Sequence, residues 1–343
     1  MNNLIKHSKP WISDEDRYAV FDSLKNDVLV DGINTENIKN QFRKKFDVEA
    51  CVITDSGTHA IQLGLEMLNI QKGDFVIAPN YVCYEVLEAI KSIGAEPQLC
   101  DTNELGVIDQ SSVAARLNSK VKAIIAVHIF GIPCDINELK NFGIPIIEDS
   151  CHAFGLEIDG KQSGTLGDIG IFSFHPTKCF TMGGHGLLIL NNPEILQDLD
   201  TESSVEFEKK NLSEMHAALG LSQLARYDRF IERRQEIREF YDSTLDTLSN
   251  LDFVKSTSNF LFRYTFQSHL PFEKIKFYYA EDNIMVTRGV DKLLHQYGSN
   301  NNAIFPKSKI LFDRNLSIPF YPALTDQEIE RVMDSTRRLF HGN

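Results

Sequence analysis

DIGIFSFHPTKCFTMGGHG, residues 168–186, is the stretch whose reading decides the fold. A β-branched and aromatic run, Ile169 to Phe174, leads into a polar turn holding Lys178. A glycine-rich loop follows, and then a second apolar run, Leu187 to Leu190. A lysine at such a strand–loop junction can sit desolvated in a cleft. Burial disfavours the ammonium form there and leaves a nucleophilic amine. A solvated loop lysine is the blander reading, and what sets Lys178 apart is the company it keeps elsewhere in the chain.

Upstream, short apolar runs alternate with helical patterns. Ser13 to Asn26 reads as an amphipathic helix with Ser13 as N-cap, and Asn34 to Phe46 as a second helix. Cys51 to Thr54 reads as a strand, followed by a tight SGT turn and a helix from about Thr58 to Leu68. Strands at Phe75–Ala78, Ala123–Val127 and Pro145–Ile147 end in the polar clusters PNYVCYE, HIFG and EDSCHAFG. This order predicts an α/β fold with a mostly parallel sheet flanked by helices on both faces. Such sheets bind ligands at the carboxyl ends of their strands, where all of these clusters fall. Ser213 to Leu248 reads as one long helix, its charged run a solvated face. From about Asn250 the pattern changes to a smaller α+β region. The expected division is a large domain over 1–248 and a small C-terminal domain over 249–343.

Composition narrows the function. The 343 residues carry a net charge of −13, the wrong sign for a nucleic-acid binder. No run is apolar for long enough to span a membrane, and the opening MNNLIKHSKPW lacks the apolar core of a signal peptide. The six cysteines form no CxxC pair, so neither zinc nor a disulfide framework is suggested. A cytoplasmic protein with reduced thiols is the expectation.

Asp149 follows Ile146 and Ile147 at a strand end. A carboxylate buried there needs a cationic partner, and a protonated pyridine nitrogen would serve. A helix N-cap is the plainer role for it. The SGT turn opens a helix whose free backbone N–H groups suit a phosphate, although a simple capped helix reads the same way. Lys178, Asp149 and an anion-binding helix start together form the kit for pyridoxal 5′-phosphate (PLP): an amine for its aldehyde, a carboxylate for its ring nitrogen, a cradle for its phosphate.

These residues carry a resemblance. DSGTHAIQLGL, IPIIEDSCHAFG, GTLGDIGIFSFHPTK, NLSEMHAALGLSQL and IPFYPALTDQEIERV resemble, in order, the motifs of the DegT/DnrJ/EryC1/StrS sugar aminotransferases, fold-type I PLP enzymes. The resemblance runs over nearly the whole chain. It implies that Lys178 is the Schiff-base lysine and proton carrier, and that Asp149 pairs with the pyridinium nitrogen. Gly57, Thr58 and Ser173 would bind the phosphate, and Ser56 fits the same turn. It implies a homodimer with shared active sites, in which Lys209 and Asn211 approach the partner's cofactor and Met215, Leu219 and Leu224 bury between helices.

Departures from the family pattern bear on the site. His152 stands where glutamine usually contacts the ring hydroxyl; it could donate the same bond, or be an ordinary core histidine. Cys83 aligns with the usual stacking aromatic, so either its sulfur packs on the ring or Tyr81 or Tyr84 replaces the stack. The short span between Leu190 and Asn211 makes a small phosphorylated ketone an alternative to a keto-sugar nucleotide as acceptor. The implied activity is transamination from an amino acid, with L-glutamate as expected donor, through pyridoxamine 5′-phosphate, in surface polysaccharide or amino-sugar synthesis. The alternatives are a PLP- or PMP-dependent sugar dehydratase, whose relatives carry histidine in place of the lysine, and a non-catalytic PLP-binding sensor.

Overall fold

The computed structural model describes residues 4–192, 194–195, 212–246, 248, 260–298 and 304–341. Seven strands form the main sheet: β1 (Ala50–Thr54), β2 (Phe75–Pro79), β3 (Glu96–Cys100), β4 (Val121–Val127), β5 (Ile146–Asp149), β8 (Ile169–Ser173) and β9 (Gly186–Leu190). A two-residue pair, β6 (Glu157–Ile158) and β7 (Lys161–Gln162), makes a separate hairpin. The sheet order is β1-β9-β8-β5-β4-β2-β3. The neighbours from β8 to β3 run parallel, while β9 lies antiparallel to both β8 and β1. The reversal follows from the chain: β8 returns directly through the Lys178 loop to its own neighbour, with no crossover helix to restore direction. The expected mostly parallel sheet is therefore present. Strand β3 escaped the sequence reading because EPQLC alternates poorly and is only half-buried.

Residues on alternate positions feed two cores, as the period of two requires. Val52, Ile169, Ile171, Leu188 and Leu190 join one, packed under the helices Gly57–Met67 and Tyr84–Ser92. Cys51, Ile53, Phe172, Leu187 and Ile189 join the other, under the helix Ile33–Phe46. That second face is aromatic: Phe42 stacks on Phe174 at 5.1 Å and Phe46 on Phe172 at 4.6 Å. Each such pair adds about 0.5–1.5 kcal/mol beyond burial. Together they fix the end of β8, from which the Lys178 loop departs.

The long helix expected over Ser213–Leu248 is two helices, Glu214–Ala225 and Tyr227–Leu245, broken at Arg226 (φ −110°, ψ 10°). Asp16 of the first helix collects Ser222, Gln223 and Arg226 there, and those bonds favour a turn over a continuous helix. A third core holds a three-stranded antiparallel sheet of β10 (Tyr264–Gln267), β12 (Asn315–Ile318) and β11 (Thr287–Arg288), with the helices Phe272–Glu281 and Asp326–His341. It also takes in Ile237, Tyr241 and Leu245 from the preceding helix and Ile5 from the N-terminal arm. Ile5 pairs with Ile284 as an isolated parallel bridge.

Candidate active site

The loop after β8 is closed on one carbonyl. The Phe174 carbonyl accepts the Met182 N–H at 3.2 Å and the Thr181 hydroxyl at 2.9 Å. Phe174, Cys179, Phe180 and Met182 are buried, while Lys178 is half-buried at the carboxyl end of the parallel strands. Its Nζ stands 5.4 Å from the centroid of the Phe262 ring.

A cleft of about 400 Å³ opens around it. Ser56, Gly57, Thr58, Cys83, Asp149, His152, Ser173 and Lys178, singled out in the sequence from four separate stretches, all line this one space. Lys209 and Asn211 lie outside the described residues.

Ser56 caps the helix Gly57–Met67 by accepting the His59 N–H at 3.1 Å. The Ala60 N–H is taken by the Ser56 carbonyl. The amides of Gly57 and Thr58 remain without an intrahelical acceptor, as the first turn of any helix dictates. A Cβ at Gly57 would come within 3.0 Å of Ser173 Cβ and 3.1 Å of Cys151 Sγ. Only glycine therefore lets this helix start approach the Ser173 hydroxyl, and together they make a cradle for an anion.

Asp149 ends β5 and is 4% exposed. Its Oδ1 accepts the Cys151 N–H at 3.0 Å, and no cation stands within ion-pair distance of it among the described residues. A buried carboxylate facing a cleft without a cation suits a protonated ring nitrogen. His152 lies between the rings of Phe262 (4.2 Å) and Phe130 (5.9 Å), nearly parallel to both. Burial, then Lys178 and Arg263, hold its pKa well below the ordinary histidine range. Its Nδ1 accepts the Phe130 N–H at 3.3 Å, so the neutral ring carries its proton on Nε2. It is thus a hydrogen-bond donor through Nε2.

Cys83 and Tyr84 both line the cleft, and Tyr81 does not. Tyr81 is 1% exposed and its hydroxyl accepts the Asn315 amide at 2.9 Å, which makes it a clasp to the small sheet. Tyr84 leans on Tyr297 with centroids 4.6 Å apart. Cys83 is open to the cleft, yet the surrounding protein, then Glu85 and Asp149, push its thiol up to about 12, so it packs as a neutral group.

The opposite wall was not read from the sequence. Arg263, Gly289, Val290, Asp291, Lys292 and Tyr297 form it. In NFLFRYTF the aromatic residues Phe260, Phe262, Tyr264 and Phe266 are buried, so alternation puts Arg263 on the face away from that core. A period of two marks that face without saying that it looks into a cleft. Gly289 carries a detectable constraint only in three dimensions: a Cβ there would lie 1.8 Å from the Tyr81 hydroxyl.

The residues present fit PLP: a phosphate cradle, a carboxylate for the ring nitrogen, a donor histidine and an amine surround one cleft. The comparisons agree. The GDP-perosamine synthase of Escherichia coli O157:H7 is 28% identical over 329 residues, 89% of this chain and 90% of that protein. The aminotransferase TlmJ from Streptoalloteichus hindustanus superposes with a TM-score of 0.90 at 25% identity, over 98% of each chain. The fold is shared too with the PLP form of Spr1654 from Streptococcus pneumoniae, at a TM-score of 0.89 and 23% identity over 98% of this chain and 99% of that one. A match to the DegT/DnrJ/EryC1/StrS aminotransferase family runs over residues 10–337. With the fold, the cleft and this match in agreement, the chain belongs to the DegT/DnrJ/EryC1/StrS family and is a PLP-dependent aminotransferase.

Proposed function

We propose that the enzyme moves an amino group from an amino acid, L-glutamate first among candidates, to the keto group of a nucleotide-linked sugar, in cytoplasmic synthesis of surface polysaccharide or amino sugars. The observation that carries this reading is the convergence of Lys178, Asp149 and the Gly57–Ser173 cradle on one cleft. The E. coli O157:H7 relative is a GDP-perosamine synthase, which supports a nucleotide-sugar acceptor.

PLP supplies an aldehyde that takes up the amino group and a ring that accepts electron density. The chain's residues do the rest. Lys178 Nζ would be the amine that holds the cofactor's aldehyde end and would carry the proton during transfer. Asp149 would hold the ring nitrogen protonated. The amides of Gly57 and Thr58, with the Ser173 hydroxyl, would hold the phosphate. Ser56 fixes that turn, His152 Nε2–H would be the donor for the ring hydroxyl, and the Cys83 sulfur would pack against the ring. Lys178 favours transfer over dehydration, since the resemblance implies histidine at that position in dehydratases of this fold; a sensor would keep the lysine, and the spectrum below separates it.

The same reading includes a homodimer with shared sites. Tyr18, Phe21 and Ile33 are 71%, 65% and 63% exposed on the N-terminal helices, and Met215 is 36% exposed nearby, an apolar face that suits a second copy. Lys209 and Asn211 would reach across it. Mixed dimers of Lys178→Ala with Lys209→Ala,Asn211→Ala protein should regain activity above either parent, and failure under demonstrated subunit exchange would refute sharing.

The function is tested by absorbance. The PLP band of the loaded protein should bleach with L-glutamate, and the resulting PMP form should recover it with a keto-sugar nucleotide. A band that persists with every amino acid would contradict transfer. Recovery with three-carbon keto-phosphates alone would replace the proposed acceptor.

A further inference from the structure

We propose that Arg263 is the subsite for the α-carboxylate of the amino-acid donor. The inference rests on the transferase reading above and adds to it the group that selects an amino acid. Arg263 stands directly before β10, half-buried on the small-sheet wall of the cleft. One N–H donates to the Gly289 carbonyl at 2.9 Å. The guanidinium carbon lies 5.5 Å from the Phe130 centroid and 5.8 Å from that of Phe262. A guanidinium has five N–H donors in a rigid fork, so most of its capacity is uncommitted. No carboxylate stands within ion-pair distance of it among the described residues; Asp291 acts on it only through space, against the larger effect of burial.

Arg234, its counterpart in the neighbouring helix, differs. It is 4% exposed, and its Nη1 donates to the carbonyls of Phe262 and Phe320. Those bonds are architectural, and Arg234 does not line the cleft. Arg263 does, with its plane braced by two aromatic rings. A permanent cation that is partly desolvated, braced and unpaired is arranged for an incoming anion.

Position selects which anion. Lys178 Nζ and the Arg263 guanidinium both lie near the Phe262 ring, at 5.4 and 5.8 Å from its centroid, and both depress the pKa of His152. The α-carboxylate of an amino acid is one carbon from the reacting amine, so it must lie beside the Lys178 amine. The diphosphate of a nucleotide sugar is separated from the keto carbon by several ring atoms and belongs farther out. Lys292, exposed at the same wall with its Nζ 4.5 Å from the Tyr297 centroid, is nearer to solvent. Arg263 should therefore matter to the donor half-reaction and little to the acceptor half-reaction, whose substrate lacks that carboxylate.

The experiment compares wild type, Arg263→Gln and Arg263→Lys as loaded holoenzymes. Single-turnover spectra are recorded with L-glutamate, its α-amide and its γ-amide, and binding of unreactive glutarate is measured by calorimetry. Wild type should discriminate against the α-amide by about a hundredfold, the range of a buried charged pair. Arg263→Gln should weaken glutamate and glutarate by about thirtyfold or more and erase the preference over the α-amide. Recovery of the PMP form by the keto acceptor should stay within about threefold of wild type. Arg263→Lys, which keeps the charge without the fork, should retain part of the preference and guards against a folding defect in the glutamine variant. Equal losses in both half-reactions would make Arg263 a structural clasp and overturn the subsite. So would Arg263→Gln protein that still rejects the α-amide. A wild-type protein that no amino acid converts would overturn the transferase reading and the subsite together, an outcome distinct from the other two.

Discussion

Lys178 and Arg263 share a phenylalanine ring but come from walls of different construction. The Lys178 wall is made of strand ends and one helix start: Ser56–Thr58 after β1, Asp149 closing β5, Ser173 closing β8. Backbone geometry fixes these groups, and the aromatic core under β8 holds them. The Arg263 wall is made of loop residues that flank β10 and β11 of the small sheet and of one short 3-10 turn, tied across by the Tyr81–Asn315 bond and the approach of Gly289. The first wall suits the cofactor, common to both half-reactions. The second, built from loop side chains, suits the choice of substrate. Substitutions on the first wall should therefore damage both half-reactions, and those on the second should separate them.

The largest expected effect is that of Lys178→Ala. Loss of the amine should lower transamination by at least about ten-thousand-fold. The protein should stay folded and hold PLP non-covalently, seen as an unchanged circular dichroism spectrum with a shifted absorbance band. Wild-type turnover by this variant would break the assignment. Asp149→Asn comes next. Losing the carboxylate proposed to pair with the ring nitrogen should lower both half-reactions by about 3 kcal/mol or more, over a hundredfold. A near wild-type single-turnover rate would remove Asp149 from the site. Gly57→Ala is smaller. The added methyl meets Ser173 and Cys151, so the cradle must open. PLP affinity should fall about tenfold with a stability loss of about 1–3 kcal/mol, and equilibrium dialysis with unchanged affinity would place the phosphate elsewhere.

The smallest effect concerns the scaffold and acid. Glu148 is fully buried beside Asp149 and faces the other side of the sheet. It accepts His128 Nε2 at 2.8 Å and the amides of Gly164, Leu166 and Gly167 at 2.6–2.8 Å. Burial alone would raise its pKa, but the His128 bond and these amides outweigh burial and hold it below the ordinary value. Glu214 caps the helix Ile33–Phe46 through Gly32, Asn34 and Thr35 and is depressed likewise against burial. A depressed carboxylate stabilises the fold above its unfolded pKa, about 4.3, and that stability is lost as pH falls through the folded value. The melting temperature should therefore be level from about pH 6 to 8 and fall below about pH 4. Glu148→Gln should lower the plateau and flatten the fall. An equally steep acid transition in that variant would exonerate Glu148.

The two walls also differ in how far the sequence reveals them. DIGIFSFHPTK, IPIIEDSCH and DSGTHA place their functional residue at the end of an apolar run, where strand and turn signals coincide. The fold class and the convergence of these residues on one cleft are legible for that reason. Arg263 sits inside an alternating run, and Gly289–Lys292 in a stretch with no periodic signal, so their roles depend on tertiary contacts with Tyr81 and Phe130. The break at Arg226 was hidden similarly, because its cause is Asp16, far away in sequence. Tyr81 was a candidate for ring stacking only because it stands next to the right loop, and its side chain turns into the core instead.

The central claim is that the Lys178 wall, and not the Arg263 wall, carries the cofactor. Each wall offers a lysine to the cleft, Lys178 from one and Lys292 from the other. Borohydride reduction of the PLP-loaded protein, followed by proteolysis and peptide mass mapping, reads this directly. The pyridoxyl mass is expected on the peptide containing SFHPTK, at Lys178, and not on Lys292. A label on Lys292, or on any other lysine with Lys178 unmodified, would contradict it.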